Sequence, residues 1–121
     1  MLYLCDSGSD TPKEDHMTSG FGLIVRFNLR DAEAAEAFDS LVEETLHGIR
    51  AHEPGTLSYV VHTVADEPNS RIFYELYADR AAFDQHEQQA HTRHFLAERG
   101  KYVADFEVTF VQSQGAAGVW K

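Results

Sequence analysis

Residues 53–95 read EPGTLSYVVHTVADEPNSRIFYELYADRAAFDQHEQQAHTRHF, and this stretch decides the fold. It opens on Glu53-Pro54-Gly55, which is turn chemistry: proline fixes φ, and glycine adopts backbone conformations that other residues avoid. Residues 56–64 are β-branched and aromatic and predict a strand. Residues 65–70 (ADEPNS) predict a polar connection containing a proline. Residues 71–78 predict a second strand. Phe73, Glu75 and Tyr77 share one face of it, and Ile72, Tyr74 and Leu76 the other. Both faces are mostly apolar, so both should be covered, and Glu75 becomes a carboxylate in a buried strand. Such a group is costly unless it is paired or protonated.

Asp79 can cap a helix starting at Arg80. Ala82, Phe83, His86 and Ala90 fall at helical spacing and predict its inward face. His86 then faces the sheet that carries Glu75, and the two are expected to pair. A break near Ala90-His91-Thr92 would free His91 from the helical period.

Working outward, residues 21–28 (FGLIVRFN) predict a first strand, with Phe21, Leu23, Val25 and Phe27 on one face. Asp31 can cap the next helix, which runs to about residue 51. Phe38, Leu41, Val42, Thr45 and Ile49 form its apolar stripe, and Glu33, Glu36, Asp39, Glu43 and Glu44 a solvated face. Residues 92–100 predict a short helix with Phe95 and Leu96 inward, and residues 103–112 a fourth strand. The order β-α-β-β-α-β is the split βαβ layout, an α+β fold. Helices on one side of such a sheet leave an apolar second face. A second copy of the chain, docked face to face, would cover it.

Several classes are disfavoured by composition. At 121 residues the chain is one domain, and 43% hydrophobic with 12% aromatic residues is globular. A formal net charge of −10, from 20 acidic and 10 basic residues, repels phosphate backbones and argues against nucleic-acid binding. The single Cys5 allows no internal disulfide and fits a reducing cytoplasm. The apolar run 2–5 is too short for a signal-peptide core or a membrane span. Residues 1–20 are expected to be a flexible lead, 21–112 the domain, and 113–121 a Gly- and Ala-rich tail carrying Trp120.

The runs E-P-G-T-L-S-Y and Y-E-L-Y-A-D-R-A-A-F-D-Q-H, followed by His91 and Phe95, resemble the antibiotic biosynthesis monooxygenase family. That family's pattern is an E-P-G-C/T-L turn, an E-x-W/Y strand, and a helix ending in histidine, followed by a further histidine and a phenylalanine. The resemblance is strongest over 53–95 and extends more weakly over about 21–112. It implies a ferredoxin-like fold that dimerises into an α+β barrel. It also implies small aromatic or quinonoid substrates oxidised by O₂ without metal or flavin. Related members degrade haem, isomerise signalling molecules, or have no known activity.

The candidate catalytic residues are His86, Glu75 and His91, and the candidate substrate-binding residues Tyr77, Tyr59, Phe73, Phe83 and Phe95. His86 reads either as a core histidine satisfied by a neighbour or as a general base with a pKa near working pH. Glu75 would be its structural partner or would fix its tautomer. The tyrosines are core aromatics or the walls of an aromatic pocket. No metal is expected: His86-Glu87-Gln88-Gln89-Ala90-His91 is one residue longer than H-E-x-x-H, and five residues set the rings roughly 140° apart on a helix. Haem is a minor alternative, since Tyr77 stands where haem-degrading relatives carry tryptophan. No G-x-G-x-x-G, P-loop or G-x-S-x-G appears. The expected activity is cofactor-independent oxidation of a small phenolic substrate by a cytoplasmic homodimer with no membrane contact. The alternative is a non-redox isomerase or ligand-binding protein on the same fold.

Overall fold

The structure, a computed structural model, describes residues 20–117. Nearly all of the expected lead, with Cys5, and the end of the tail, with Trp120, lie outside the described residues. Eight elements follow in order: β1 (Phe21–Leu29), α1 (Ala32–His52), β2 (Thr56–Val64), β3 (Glu67–Tyr77), α2 (Arg80–Gln88), α3 (Ala90–Glu98), a 3-10 turn (Arg99–Lys101) and β4 (Val103–Gln112). The four strands form one antiparallel sheet in the order β2-β3-β1-β4. This is the ferredoxin-like α+β arrangement, with the second helical segment split in two.

Local chemistry sets the boundaries. Asp31 and Asp79 sit in extended backbone and accept the amide hydrogens of Ala34 and Ala82, at 2.8 and 2.9 Å, capping α1 and α2. α2 ends because Gln89 turns extended (φ −68°, ψ 146°), and α3 restarts at Ala90. The expected break is therefore real, and it falls one residue early. Its consequence is that Ala90, expected inward, is exposed, while Phe83 and His86 keep the inward face.

The β2–β3 connection is tighter than expected. It is a two-residue turn at Ala65-Asp66, with Asp66 at φ 65°, a left-handed conformation that aspartate tolerates. β3 accordingly begins at Glu67 and absorbs Pro68. Pairing with β1 starts only at Ser70, so the amide hydrogen that proline lacks is missing from no β1–β3 rung.

The core lies between the helices and one sheet face. Leu23, Val25 and Phe27 of β1, Phe73 and Tyr77 of β3, Phe38, Leu41 and Val42 of α1, Phe83 of α2 and Phe95 of α3 are all buried there. Phe27 is the hub, with ring centroids 4.9 Å from Phe73, 5.2 Å from Phe38 and 6.1 Å from Phe95. Asp39 of the α1 acidic face is not simply solvated. It takes a bidentate pair from the largely buried Arg71 guanidinium, with both contacts at 2.9 Å, and so ties α1 to β3.

Among the described residues, nothing covers the opposite sheet face. Ile24 and Val60 are exposed there, with Ile72 and Tyr74 half-buried beside them. Among the described residues, no helix is long and apolar enough to cross a membrane. The packing around Phe27 makes a direct prediction. Phe27→Ala should lower unfolding free energy by about 3–5 kcal/mol in a urea titration, the usual cost of emptying a large aromatic site.

Candidate functional site

The site is built on the turn that follows α1. Glu53 closes that helix, its amide hydrogen bonding Ile49 O at 3.1 Å, and Pro54 prevents continuation. Gly55 does two things. Its carbonyl accepts from the Ala78 amide at 2.9 Å, joining the turn to the end of β3. Its missing side chain lets α2 approach: a Cβ there would lie 2.8 Å from the Ala82 methyl. α2 is thereby pressed onto the turn, and His86, one turn along from Ala82, arrives over the Glu53 carboxylate.

Glu53 Oε1 and Oε2 lie 2.9 and 3.1 Å from His86 Nδ1. Thr56 donates its hydroxyl to Oε1 at 2.7 Å, and His91 Nε2 bonds Oε2. Burial would raise the Glu53 pKa, but the hydrogen bonds from His86, Thr56 and His91 and the charge of His86 outweigh it and hold the pKa down at about 2. An ionised carboxylate only accepts, so Nδ1 of His86 and Nε2 of His91 carry the hydrogens. Burial likewise depresses the His86 imidazole. Its bond to Glu53 and the charges of Glu75, Glu53 and Glu87 overcome that and raise its pKa above the ordinary histidine value.

His91 reaches this carboxylate because of Gly48. Any side chain at position 48 would collide with the His91 ring, so the glycine lets α3 rest against α1. The His52 ring stacks on His91 at 6.2 Å and 20°. Thr92, buried next to His91, has its hydroxyl 3.4 Å from His86 Nδ1.

The expected Glu75–His86 hydrogen bond is not formed. Glu75 is fully buried, but its Oε1 accepts from the Tyr77 hydroxyl at 2.6 Å, two residues along the same strand face. Its Oε2 has no hydrogen-bond partner among the described residues. The carboxylate that holds His86 is Glu53, because Gly55 and the Asp79 cap seat α2 over the turn. Glu75 and His86 still feel each other's charge. Burial raises the Glu75 pKa to about 7, against the charge of His86 and the hydroxyls of Tyr77 and Tyr59.

Three of the expected aromatic residues surround His86: Tyr77, Tyr59 and Phe83, at ring centroids of 5.2, 5.7 and 6.3 Å. Phe73 and Phe95 lie deeper, 6.2 Å apart in the core, with Phe73 edge-on to Tyr59. His62 points to the open sheet face, across from Ile72. Among the described residues, no group of three or more His, Cys, Asp or Glu side chains is arranged to hold a metal ion. An open cleft of about 560 Å³ beside Leu96, Arg99, Val103 and Phe106 contains none of the groups around His86.

Glu53, Thr56, Thr92 and Gly48 are the residues that reading the chain missed. Glu53 stands inside the E-P-G run, where the local pattern marks only a turn. Its signal was a carboxylate fixed beside an obligatory helix end.

Fold and site together define a ferredoxin-like α+β domain with a buried carboxylate–histidine centre on its helical side. The chain belongs to the antibiotic biosynthesis monooxygenase family, whose model matches residues 21–98, from β1 to the end of α3. No curated protein matches significantly. Solved structures do. A Bacteroides thetaiotaomicron protein, named as a candidate antibiotic biosynthesis monooxygenase, is 22% identical, with a TM-score of 0.74 over 83% of this chain and 93% of that one. A Mycobacterium tuberculosis protein is 26% identical, with a TM-score of 0.74 over 82% and 99%. A Caulobacter crescentus protein, also named as a candidate of this family, is 19% identical, with a TM-score of 0.75 over 80% and 92%.

The site predicts a definite pH dependence of stability. The depressed Glu53 pKa gives stability that is present above the ordinary 4.5 and lost as pH falls toward about 2. The raised His86 pKa gives stability that is full below 6.5 and lost as pH rises through its elevated value. Glu75, raised from 4.5 to about 7, also favours the folded state less as pH rises through that range. Urea titrations should therefore place maximum stability on the mildly acidic side of neutrality. Glu53→Gln should flatten the acid limb and cost about 3–5 kcal/mol, the usual penalty for breaking a buried pair.

Proposed function

We propose that this protein is a monooxygenase that oxidises a small phenolic or quinone-forming aromatic substrate with O₂, working as a homodimer. Family membership and the names borne by the Bacteroides and Caulobacter proteins support the reaction class. The observation that carries the reading is His86 itself, a 2% exposed imidazole ringed by Tyr59, Tyr77 and Phe83 and held through Nδ1 by an ionised carboxylate.

The chemistry follows from that arrangement. Glu53 keeps the hydrogen on Nδ1, so proton exchange with a substrate falls to Nε2. His86 in its neutral form takes the phenolic proton, and the imidazolium that results sits against the Glu53 negative charge. The aromatic side chains favour a flat, apolar ring and keep water away, which leaves the substrate anion electron-rich toward O₂. In the overall reaction of an anthrone-like substrate, a CH₂ carbon loses two hydrogens and gains one oxygen atom as a carbonyl. The second oxygen atom leaves as water. No nucleotide, flavin or metal has a role in this scheme.

Two tests follow. The apolar open sheet face motivates the dimer: light scattering at micromolar concentration should give about twice the 13.6 kDa chain mass, and a stable monomer would contradict it. Oxygen uptake with anthrone- and hydroquinone-type substrates tests the reaction. His86→Ala should cut turnover per folded molecule by about 10²–10⁴-fold, the range for loss of a general base. Tight binding of such compounds without oxygen uptake would instead assign a non-redox isomerase or binding protein.

A further inference from the structure

Two carboxylates act on His86, and their surroundings are unequal. Glu53 collects hydrogen bonds from three side chains, so its charge is locked in place. Glu75 is 0% exposed, and its hydrogen-bonding partners among the described residues are hydroxyls: Tyr77 at 2.6 Å from Oε1, and Tyr59 reaching the same carboxyl from β2. Its Oε2 is orphaned among the described residues, and no lysine or arginine there bonds it. A fully buried carboxylate with an acceptor oxygen unmatched by the described side chains is a poor place for an anion. A proton on Oε2 removes the charge, and burial favours that neutral form.

The other charged or titratable groups around the pair come from every neighbouring element. β2 supplies Tyr59 and β3 supplies Tyr77. The turn after α1 supplies Glu53, and α3 supplies His91 on that same carboxylate. α2 supplies Glu87, whose pKa burial raises against the opposing charge of His86. None of these is a cation bonded to Glu75. Among the described residues, the group that answers a charge on Glu75 is His86, whose ring lies 5.2 Å from that of Tyr77 and 5.7 Å from that of Tyr59.

We propose that Glu75 is a positioning residue that sets the basicity of His86, the two groups titrating as one coupled pair around the Tyr59 and Tyr77 rings. With Glu75 neutral, His86 answers to Glu53 as its main counter-charge and gives up its proton more readily, so it is available to accept one. Once Glu75 ionises, a second negative charge holds His86 as imidazolium and unavailable. The direction of the Glu75 shift agrees with this. The proposal rests on reading His86 as the base, but its test does not depend on turnover.

The test is NMR titration of the full-length protein, labelled at glutamate carboxyl and histidine ring carbons. In the wild type, the Glu75 carboxyl should titrate near neutrality, and the His86 ring should show an inflection at the same pH besides its own. In Glu75→Gln the shared inflection should vanish and the His86 midpoint should fall by about one unit, the size expected for losing a nearby opposite charge. Glu75→Asp should restore the two-step curve. A wild-type Glu75 titrating in the ordinary carboxylate range overturns the proposal, and that measurement needs no variant. An unchanged His86 curve in Glu75→Gln overturns it as well. Coupled titration in a protein that consumes no oxygen supports the pairing and overturns only the monooxygenase reading.

Discussion

A carboxylate with 3% of its side chain exposed cannot sit in a protein interior without donors, and Glu53 is such a carboxylate. The donors it recruits come from three separate places in the chain: Thr56 from β2, His86 from α2 and His91 from α3. Each of those elements is therefore pinned to the end of α1 by the same two oxygen atoms. The glycines make the pinning geometrically feasible. Gly55 admits α2 and Gly48 admits the His91 ring. Without the break at Gln89, His91 would follow the α2 period and point elsewhere. The split in the second helical segment is the conformational cost of bringing a second imidazole to Glu53.

The same site shows how one side-chain type takes two characters. Glu53 and Glu75 both lie near His86, yet donors hold the first pKa at about 2 while burial lifts the second to about 7. The difference is not distance from the imidazole alone. It is the count and kind of donors: imidazole and hydroxyl groups converge on Glu53, whereas Glu75 has hydroxyls on one side and an unmatched oxygen on the other. Environments that push like groups apart in this way separate a permanent anion from a titrating acid.

Much of this was legible in the chain because it followed from period and capping. The strand alternation at 21–28, the stripe of Phe38, Leu41, Val42, Thr45 and Ile49, and the Asp31 and Asp79 caps all appear where the pattern puts them. What stayed hidden depends on contacts between distant segments. That His86 meets Glu53 rather than Glu75 is decided by how closely Ala82 of α2 can approach Gly55 in the turn after α1, and no local period records that approach. The Arg71–Asp39 pair was invisible for the same reason: an aspartate on a charged helix face gives no sign of its partner. The early start of β3 was masked by Pro68, whose penalty vanishes where the strand has not yet met β1.

The placement of the site relative to the sheet has one more consequence. Phe73, Glu75 and Tyr77 face the helices, while Ile72 and Tyr74 between them face the open side with Ile24 and Val60. The described side chains around His86, Tyr59 and Tyr77 of the sheet included, thus lie on the helix-facing side of the sheet. A second copy laid against the open face would touch the alternate residues of β3 and none of the groups bonded to Glu53. The open sheet face and the carboxylate–histidine centre occupy opposite sides of one strand, so substitutions at Ile24 or Val60 and substitutions at Glu53 or His86 should act on separable properties.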